Sequence, residues 1–553
     1  MSAPLVVLKF GSSVLRSEAD LPAAVHEIYR WFRAGRRVIA VVSAFEGVTD
    51  ALFTRARAFE AEPEPHALAG YVATGEAEAV QRLALALARA GVPAHALDPG
   101  HTGLRVRGAP LDAQPVALDA TPILWRIEER PVVIVPGFVG SDARGRICLL
   151  GRGGSDLTAV FLAQALRAER CLLLKDVPGL YERDPALPGP RPRRFAEISW
   201  EGALALGGGI VQAKAVCFAA LKGQAFEVAR AGEAAGTTVG DASRRFAPES
   251  EAGPLRVALA GCGTVGGGVL EALRQQPERF TIAGVASRRR GPSVAELLRE
   301  DFDVLVEVTG APEADEWIRA ALRAGRDVVT AHKDLLAREG GELDALARAC
   351  GAELLFSAAV GGAVPMLEAA ARGEVRTLAA ALNGTTNFVL GRVEEGMSLG
   401  EALAEASARG YAEADPSRDL DGRDAVAKLV LLARAAFGAA PDPERVPRLA
   451  LDEALAEQAR VARTEGQRLR ILASAERGRA ELRAVRLPLQ HPLAALAGVE
   501  CGMLLARADG SEELVAGRGA GRWPTAEAVL ADLLDLYRAR LVVGRERTTL
   551  ACA

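Results

Sequence analysis

Apolar residues along the chain follow two rhythms that take turns. Continuous runs rich in Val, Ile and Leu occur at LVVLKF (5–10), RRVIAVVSA (36–44), PVVIVPGF (131–138) and CLLLKDV (171–177), the pattern of strands buried on both faces. Between them lie segments such as 23–34, whose apolar positions recur at helical spacing. Strand and helix alternating over residues 4–240 predict an α/β fold with a mainly parallel sheet. The polar, aperiodic residues 241–254 (DASRRFAPESEAGP) predict a linker. A second alternation opens with the strand LRVALA (255–260). From about residue 366 the pattern becomes mixed α+β, with a long helix near 422–436 and a last one over 526–538.

Composition narrows the functional classes. A chain of 553 residues, half of them hydrophobic and a quarter charged, predicts a globular protein of three or four domains. A net charge of -4 provides no basic field for nucleic acid. No apolar run reaches the ~18 residues of a membrane span, and the start lacks the charged region of a signal peptide. Seven scattered cysteines without a CxxC pair, and six histidines without ligand spacing, predict a reducing, cytoplasmic setting and no resident metal. Only six of the 67 Lys and Arg residues are lysine: Lys9, Lys175, Lys214, Lys222, Lys333 and Lys428. Arginine serves the routine surface charge, so each retained lysine is a candidate for work that needs a compact, titratable ammonium. Lys222 reads as a plain surface residue.

The strand at 255–260 runs into Gly261-Cys262-Gly263-Thr264-Val265-Gly266 and then a helix from about Val265. Glycines in that setting permit a tight turn and close approach of backbone amides to a pyrophosphate, with Gly261, Gly263, Thr264, Val265 and Gly266 facing the cofactor. A purely structural turn is the alternative. The next strand ends near Ser287, and Arg288-Arg289-Arg290 follow where an NAD site places an acid. Cations there suit the 2′-phosphate of NADP, the alternative being a solvated charge run. Further on, Asp424 and Lys428 share one face of a helix that is apolar elsewhere. A buried carboxylate and ammonium need partners or a task. Glu413, Asp415, Asp419 and Asp421 crowd the preceding loop without the closing Glu of a calcium site. An exposed ion pair is the bland reading of Asp424 and Lys428. Lys333 follows the strand DVVT, at the strand end where ligands of open α/β sheets collect, although it also fits a solvated loop.

Taken together, GCGTVGGGV (261–269), VVTAHKDLLA (328–337), AAVGGAVPML (358–367), LNGTTNFVL (382–390), GYAEADPSRDLDGRDAVAK (410–428), HPLA (491–494) and GRGAGRWPT (517–525) resemble homoserine dehydrogenase over 255–545. The resemblance implies reduction of aspartate semialdehyde to homoserine with NADP or NAD. It places Lys333 and Lys428 at proton delivery to the nascent alkoxide, with Lys333 also beside the cofactor. Asp424 would orient substrate and lysine, Glu413 would bind the substrate ammonium with Asp419 nearby, and 383–387 would line the pocket. The chain departs from the family at His332 (usually Asn), Ser357 (usually Glu near a monovalent-cation site) and Arg518 (usually Pro).

In the first half, KFGSS (9–13), VVSAFEGVTDAL (41–52), ATGEAEA (73–79), VPGFVG (135–140) and LLGRGGSDLTA (149–159) resemble the amino-acid-kinase fold, and aspartate kinase in particular. The resemblance implies ATP with Mg as cosubstrate. It makes Lys9 the group that stabilises the transferring phosphoryl, Asp156 the organiser and Arg152 the clamp on the substrate carboxylate, with Thr49, Glu76 and Ser155 completing the amino-acid pocket and Glu76 meeting the ammonium. Lys175 stands for the family's Thr, Ala186 for an Arg, Gly209 for a Lys, and Gln212-Ala213 for a His-Pro pair.

The expected organisation is an aspartate-kinase-like domain (1–240), a linker (241–254), a Rossmann NAD(P)-binding domain (255–365), an α+β substrate domain (366–515) and a C-terminal segment (516–553) that returns to the nucleotide domain. A homodimer or higher homo-oligomer with small-molecule substrates follows by resemblance. Regulatory ACT domains, usual between such fused enzymes, have no place in 241–254, so feedback through them is not expected. Two alternatives stand beside the bifunctional reading: a dehydrogenase with a catalytically inactive kinase-like scaffold or sensor, and a first domain that phosphorylates another amino acid or a carbamate-like acid.

Overall fold

A computed structural model describes residues 3–233, 235–247, 253–287, 291–412, 415–519 and 521–543. Backbone contacts divide the chain into two compact units, the first built mainly from Met1–Arg89 and Pro93–Glu251, the second mainly from Ala252–Tyr537.

The first unit is organised by a nine-stranded sheet. Its centre is parallel: Phe226–Ala229, Arg170–Leu174, Leu5–Phe10, Arg37–Val42 and Val132–Pro136 lie side by side. Every residue of Leu5–Phe10 is buried, because helices such as Gly154–Ala165 cover the sheet. Lys9 lies in this strand opposite Val41 and Leu173. The predicted linker is partly structured. Arg245–Phe246 pairs antiparallel with Phe195–Ser199, and the Phe246 ring stacks on Phe195 with centroids 4.9 Å apart. Two residues are too few to show a strand period, so the sequence pattern missed this edge. A separate four-stranded sheet carries the hairpin Val139–Ser141 and Ile147–Leu149 ahead of the Gly151 loop.

The second unit contains two sheets. Five parallel strands run in the order Phe280–Ala286, Leu255–Ala260, Val304–Glu307, Asp327–Thr330 and Leu354–Leu355. Five antiparallel strands follow, in the order Arg479–Pro488, Gln467–Glu476, Val375–Ala381, Glu500–Arg507 and Glu512–Arg518. The predicted helix near 422–436 is Arg423–Phe437, bounded by Gly422 and Gly438, both at positive φ. At Gly438 this is the usual glycine stop. The last helix, Arg522–Val543, is longer than the pattern at 526–538 suggested. It packs on Thr264–Arg274, where Gly268 faces Ala526 and Arg522 pairs with Glu271 at 3.0 Å. No described helix is long and apolar enough to cross a membrane.

Candidate active sites

The parallel sheet of the second unit ends in a nucleotide-type turn. Gly261 takes φ +102°, and a Cβ there would press on the Val308 carbonyl. A Cβ at Gly266 would overlap the Gly261 carbonyl oxygen, so the helix can start this close to the strand only with glycine at that position. The helix begins at Thr264, one residue before the expected Val265, and Gly263 offers no capping side chain. Its first N–H groups are therefore open to an anion, and Cys262, Gly263 and Thr264 are exposed. These residues fit a dinucleotide pyrophosphate. Arg288 and Arg289 lie outside the described residues.

Two neighbouring strand ends carry the next layer. Glu307, fully buried, closes Val304–Glu307. Its Oε1 accepts from the Thr309 amide (2.7 Å), the Thr309 hydroxyl (2.6 Å) and the Gly310 amide (3.2 Å), and its Oε2 from the Thr330 hydroxyl (2.7 Å). The carboxylate thereby fixes the 308–310 loop beside the start of helix Lys333–Ala349. His332 caps that helix. Its Nδ1 accepts from the Leu335 amide at 3.4 Å, and its Nε2 lies 3.1 Å from the Ala311 carbonyl. With a hydrogen on Nε2 and none on Nδ1 the ring satisfies both contacts.

Asp424 occupies the first turn of Arg423–Phe437 and is 4 % exposed. Its Oδ2 lies 2.8 Å from Lys428 Nζ, and its Oδ1 meets Lys333 Nζ. Lys428 also donates to the Leu382 carbonyl at 3.1 Å. Asn383 Nδ2 joins the acids, donating to Asp424 Oδ2 (3.0 Å) and Asp419 Oδ1 (2.8 Å). The Thr385 hydroxyl lies 3.0 Å from Asp419 Oδ2 and 2.8 Å from the Tyr411 carbonyl, donating to one at a time. Burial opposes the Asp424 charge, yet the Lys428 and Lys333 ammonium groups outweigh it and hold the carboxyl below the ordinary range. Burial also opposes the Lys428 charge, and Asp424 reverses that effect and holds the lysine above its usual value. Asp415 and Asp421 turn to local work, accepting from Ser417 and Arg423 amides, so the acidic loop is divided between turns and site. Glu413 lies outside the described residues. Ser357 donates its amide (3.0 Å) and hydroxyl (2.8 Å) to Asp532 of the last helix. Arg518 ends its strand opposite Glu500.

The first unit repeats the charge arrangement. Lys9 Nζ lies 2.7 Å from Asp156 Oδ1, and Lys175 Nζ lies 2.9 Å from Oδ2. Strand Leu5–Phe10 carries Lys9, the first turn of Gly154–Ala165 carries Asp156, and Lys175 follows Arg170–Leu174. All three gather at the carboxyl ends of adjacent parallel strands. Glu76, in helix Thr74–Ala90, is 2 % exposed. Its Oε1 accepts from the Ala44 amide at 3.3 Å, while Oε2 has no hydrogen-bond partner among the described residues. Burial pushes its pKa up to about 7. Such a carboxylate is suited to an incoming ammonium. Thr49 and Ser155 are half-buried, the Ser155 side chain close against Gly137, and Arg152 is exposed in the glycine loop. Lys214 donates to Asp112 (2.5 Å) and the Leu150 carbonyl (2.7 Å) beside Gly151, whereas Lys222 is exposed. Elsewhere His66, Asp142 and Cys148 bring one ligand atom each within 4.8 Å of one another, a gathering invisible in their spacing. Asp142 there already accepts from the Arg144 and Arg146 amides.

Sequence reasoning missed Glu307 and the bridging role of Asn383. A lone acid closing the apolar run VLVE was the available signal for the first.

Comparison with known proteins agrees with this division. The amino acid kinase family model matches residues 4–225, the homoserine dehydrogenase NAD-binding domain 261–357, and homoserine dehydrogenase 364–534. An aspartokinase of Pseudomonas aeruginosa is 36% identical over 218 residues, 39% of this chain and 53% of its own length. The chain thus spans about half the length of the curated aspartokinases it matches. A homoserine dehydrogenase of the same organism is 34% identical over 316 residues, covering 52% of this chain and 73% of its own. The crystal structure of a homoserine dehydrogenase from Thiobacillus denitrificans is 32% identical with a TM-score of 0.49, covering 53% of this chain and 75% of that one. With a glycine turn for a dinucleotide and two lysines on one buried aspartate at the adjoining strand and helix ends, the chain belongs to the homoserine dehydrogenase family and carries an amino acid kinase domain ahead of the dehydrogenase.

Proposed function

We propose that the second unit reduces L-aspartate 4-semialdehyde to L-homoserine with NADPH, and that the first phosphorylates L-aspartate with ATP and Mg. One observation supports the dehydrogenase reading above the others: Lys333 and Lys428 converge on the buried Asp424. NADPH, when bound, supplies the hydride. As the carbonyl oxygen gains charge, the two ammonium groups stabilise it and one of them gives up a proton. Asp424 holds both lysines in place and keeps Lys428 protonated. Asp419, aimed by Asn383 and Thr385, and Glu413 receive the substrate ammonium. Gly261, Gly263, Thr264, Val265 and Gly266 take the pyrophosphate. Arg288 and Arg289 favour NADP through its 2′-phosphate.

In the first unit Lys9 stabilises the transferring phosphoryl and Asp156 organises the site, while Arg152, Ser155, Thr49 and Glu76 hold aspartate. ATP with Mg, when bound, supplies the phosphoryl group. A second reading, a dehydrogenase with a catalytically inactive kinase-like domain, draws support from Gly209 and from Gln212-Ala213 at positions where the kinase family carries Lys and His-Pro. A cytoplasmic homodimer completes the proposal.

The dehydrogenase is tested by NADPH oxidation with aspartate semialdehyde. Asp424→Asn removes the counter-charge of both lysines and lowers kcat/KM by on the order of 10³. Wild-type turnover in that variant would remove the trio from the mechanism.

A further inference from the structure

Asp156 meets more positive charge than it can neutralise. Lys9 Nζ lies 2.7 Å from Oδ1, and Lys175 Nζ lies 2.9 Å from Oδ2 and 3.2 Å from Oδ1. Lys9 is 6 %, Lys175 9 % and Asp156 3 % exposed, so solvent does little to screen the excess. Among the described residues no other carboxylate lies within ion-pair distance of either ammonium. Asp176, next to Lys175 in the chain, is exposed and acts on it only from farther away. Burial and the neighbouring Lys9 lower the Lys175 pKa to about 8 even with Asp156 in contact. The pocket is short of negative charge.

Structure alone does not call for the second ammonium. Lys9 already balances Asp156, and burying an uncompensated cation is costly. The backbone at Lys175 is held independently, by its amide donating to the Ala229 carbonyl at 2.8 Å. The surroundings also suit an anion with several oxygens. Gly11 passes so close over Lys9 Nζ that a Cβ would overlap it, which keeps that side free of side chains. Helix Gly154–Ala165 starts behind Gly153 with no capping side chain, leaving amide donors at the same place. Lys214, on the flank of the Gly151 loop, is engaged by Asp112 and the Leu150 carbonyl.

We propose that Lys175 is a second phosphate-binding cation of the first unit, and that with Lys9 it holds the polyphosphate of a nucleoside triphosphate above Asp156. The proposal takes the nucleotide class from the kinase reading and does not require that phosphoryl transfer occurs. Calorimetric titration of the full chain with MgATP and with AMP tests it. Lys175→Met is expected to weaken MgATP binding about tenfold or more and to leave AMP within about twofold, whereas a merely structural lesion would weaken both alike. A measurement on the unmutated chain covers the case of a misfolded variant: MgATP, but not AMP, slows acetylation of the Lys175 amine as read by mass spectrometry. Equal MgATP affinity in Lys175→Met, unprotected Lys175, or no MgATP binding by the wild-type chain overturns the proposal. MgATP binding that depends on Lys175 without aspartyl phosphate formation leaves the proposal standing and removes the kinase reading.

Discussion

Two lysine ammonium groups meet each of two buried aspartates, Asp156 with Lys9 and Lys175, Asp424 with Lys333 and Lys428. Four of the chain's six lysines are used in this way. Each cluster is one positive charge in excess, which is useful only where substrate or transition state brings a negative charge. Glu76 is the opposite case, a buried acid with no ion-pair partner among the described residues. Its folded pKa of about 7 stands above the unfolded value, so the folded state favours the proton. Between pH 4.5 and 7 the unfolded chain has released a proton that the folded chain retains, and stability falls as pH rises through that window. Above it the full penalty applies, on the order of 3 kcal/mol. Glu76→Gln should therefore resist urea better than wild type at pH 8 but not at pH 4.5, and should no longer bind aspartate. Aspartate should restore wild-type stability at pH 8. Parallel pH profiles of the two proteins would show that Glu76 does not carry this penalty. Lys9, Asp424 and Lys428 were legible as isolated residues because charge in an apolar run is conspicuous. Lys175 stood out as one of six retained lysines and as a substitution for the family's Thr, but its meeting with Asp156 was not legible, since that depends on which strands become neighbours.

Among the elements, the strand–glycine–helix unit at 255–274 was the most legible. Its strand has the predicted bounds, and its helix starts one residue early. The reason is local: Gly266 must lack a Cβ for the helix to lie against the Gly261 carbonyl. Gly266→Ala is expected to raise the NADPH Kd by about tenfold or more, roughly 1.4 kcal/mol, measured by quenching or enhancement of nicotinamide fluorescence. Unchanged NADPH affinity would mean that the turn relaxes without loss. The two-residue strand Arg245–Phe246 was not legible, because its stability comes from Phe195 and Phe246 stacking and not from its own pattern. Glu307 shows the same limit: its hydrogen bonds come from Thr309, Gly310 and Thr330, and Thr330 lies on another strand. Helix Arg423–Phe437 was readable because Val426 and Leu429–Leu432 surround Asp424 and Lys428 with apolar positions, while its glycine ends at Gly422 and Gly438 emerge from the structure.

At the scale of the whole molecule, two compact units each carry one charged trio, and residues 226–260 separate the amino acid kinase match from the NAD-binding match. Fold class followed from alternation of strand and helix, which sequence records directly. One chain carrying two enzymes would show two separable activities in one preparation. The most direct measurement is ATP-dependent aspartyl-hydroxamate formation by the full chain, beside its Lys9→Ala variant and with NADPH oxidation by aspartate semialdehyde followed in both. Hydroxamate formed by the wild type and lost in Lys9→Ala, with NADPH oxidation intact in each, is the predicted result. A preparation that oxidises NADPH but forms no hydroxamate would contradict it and leave a dehydrogenase joined to an inactive kinase domain.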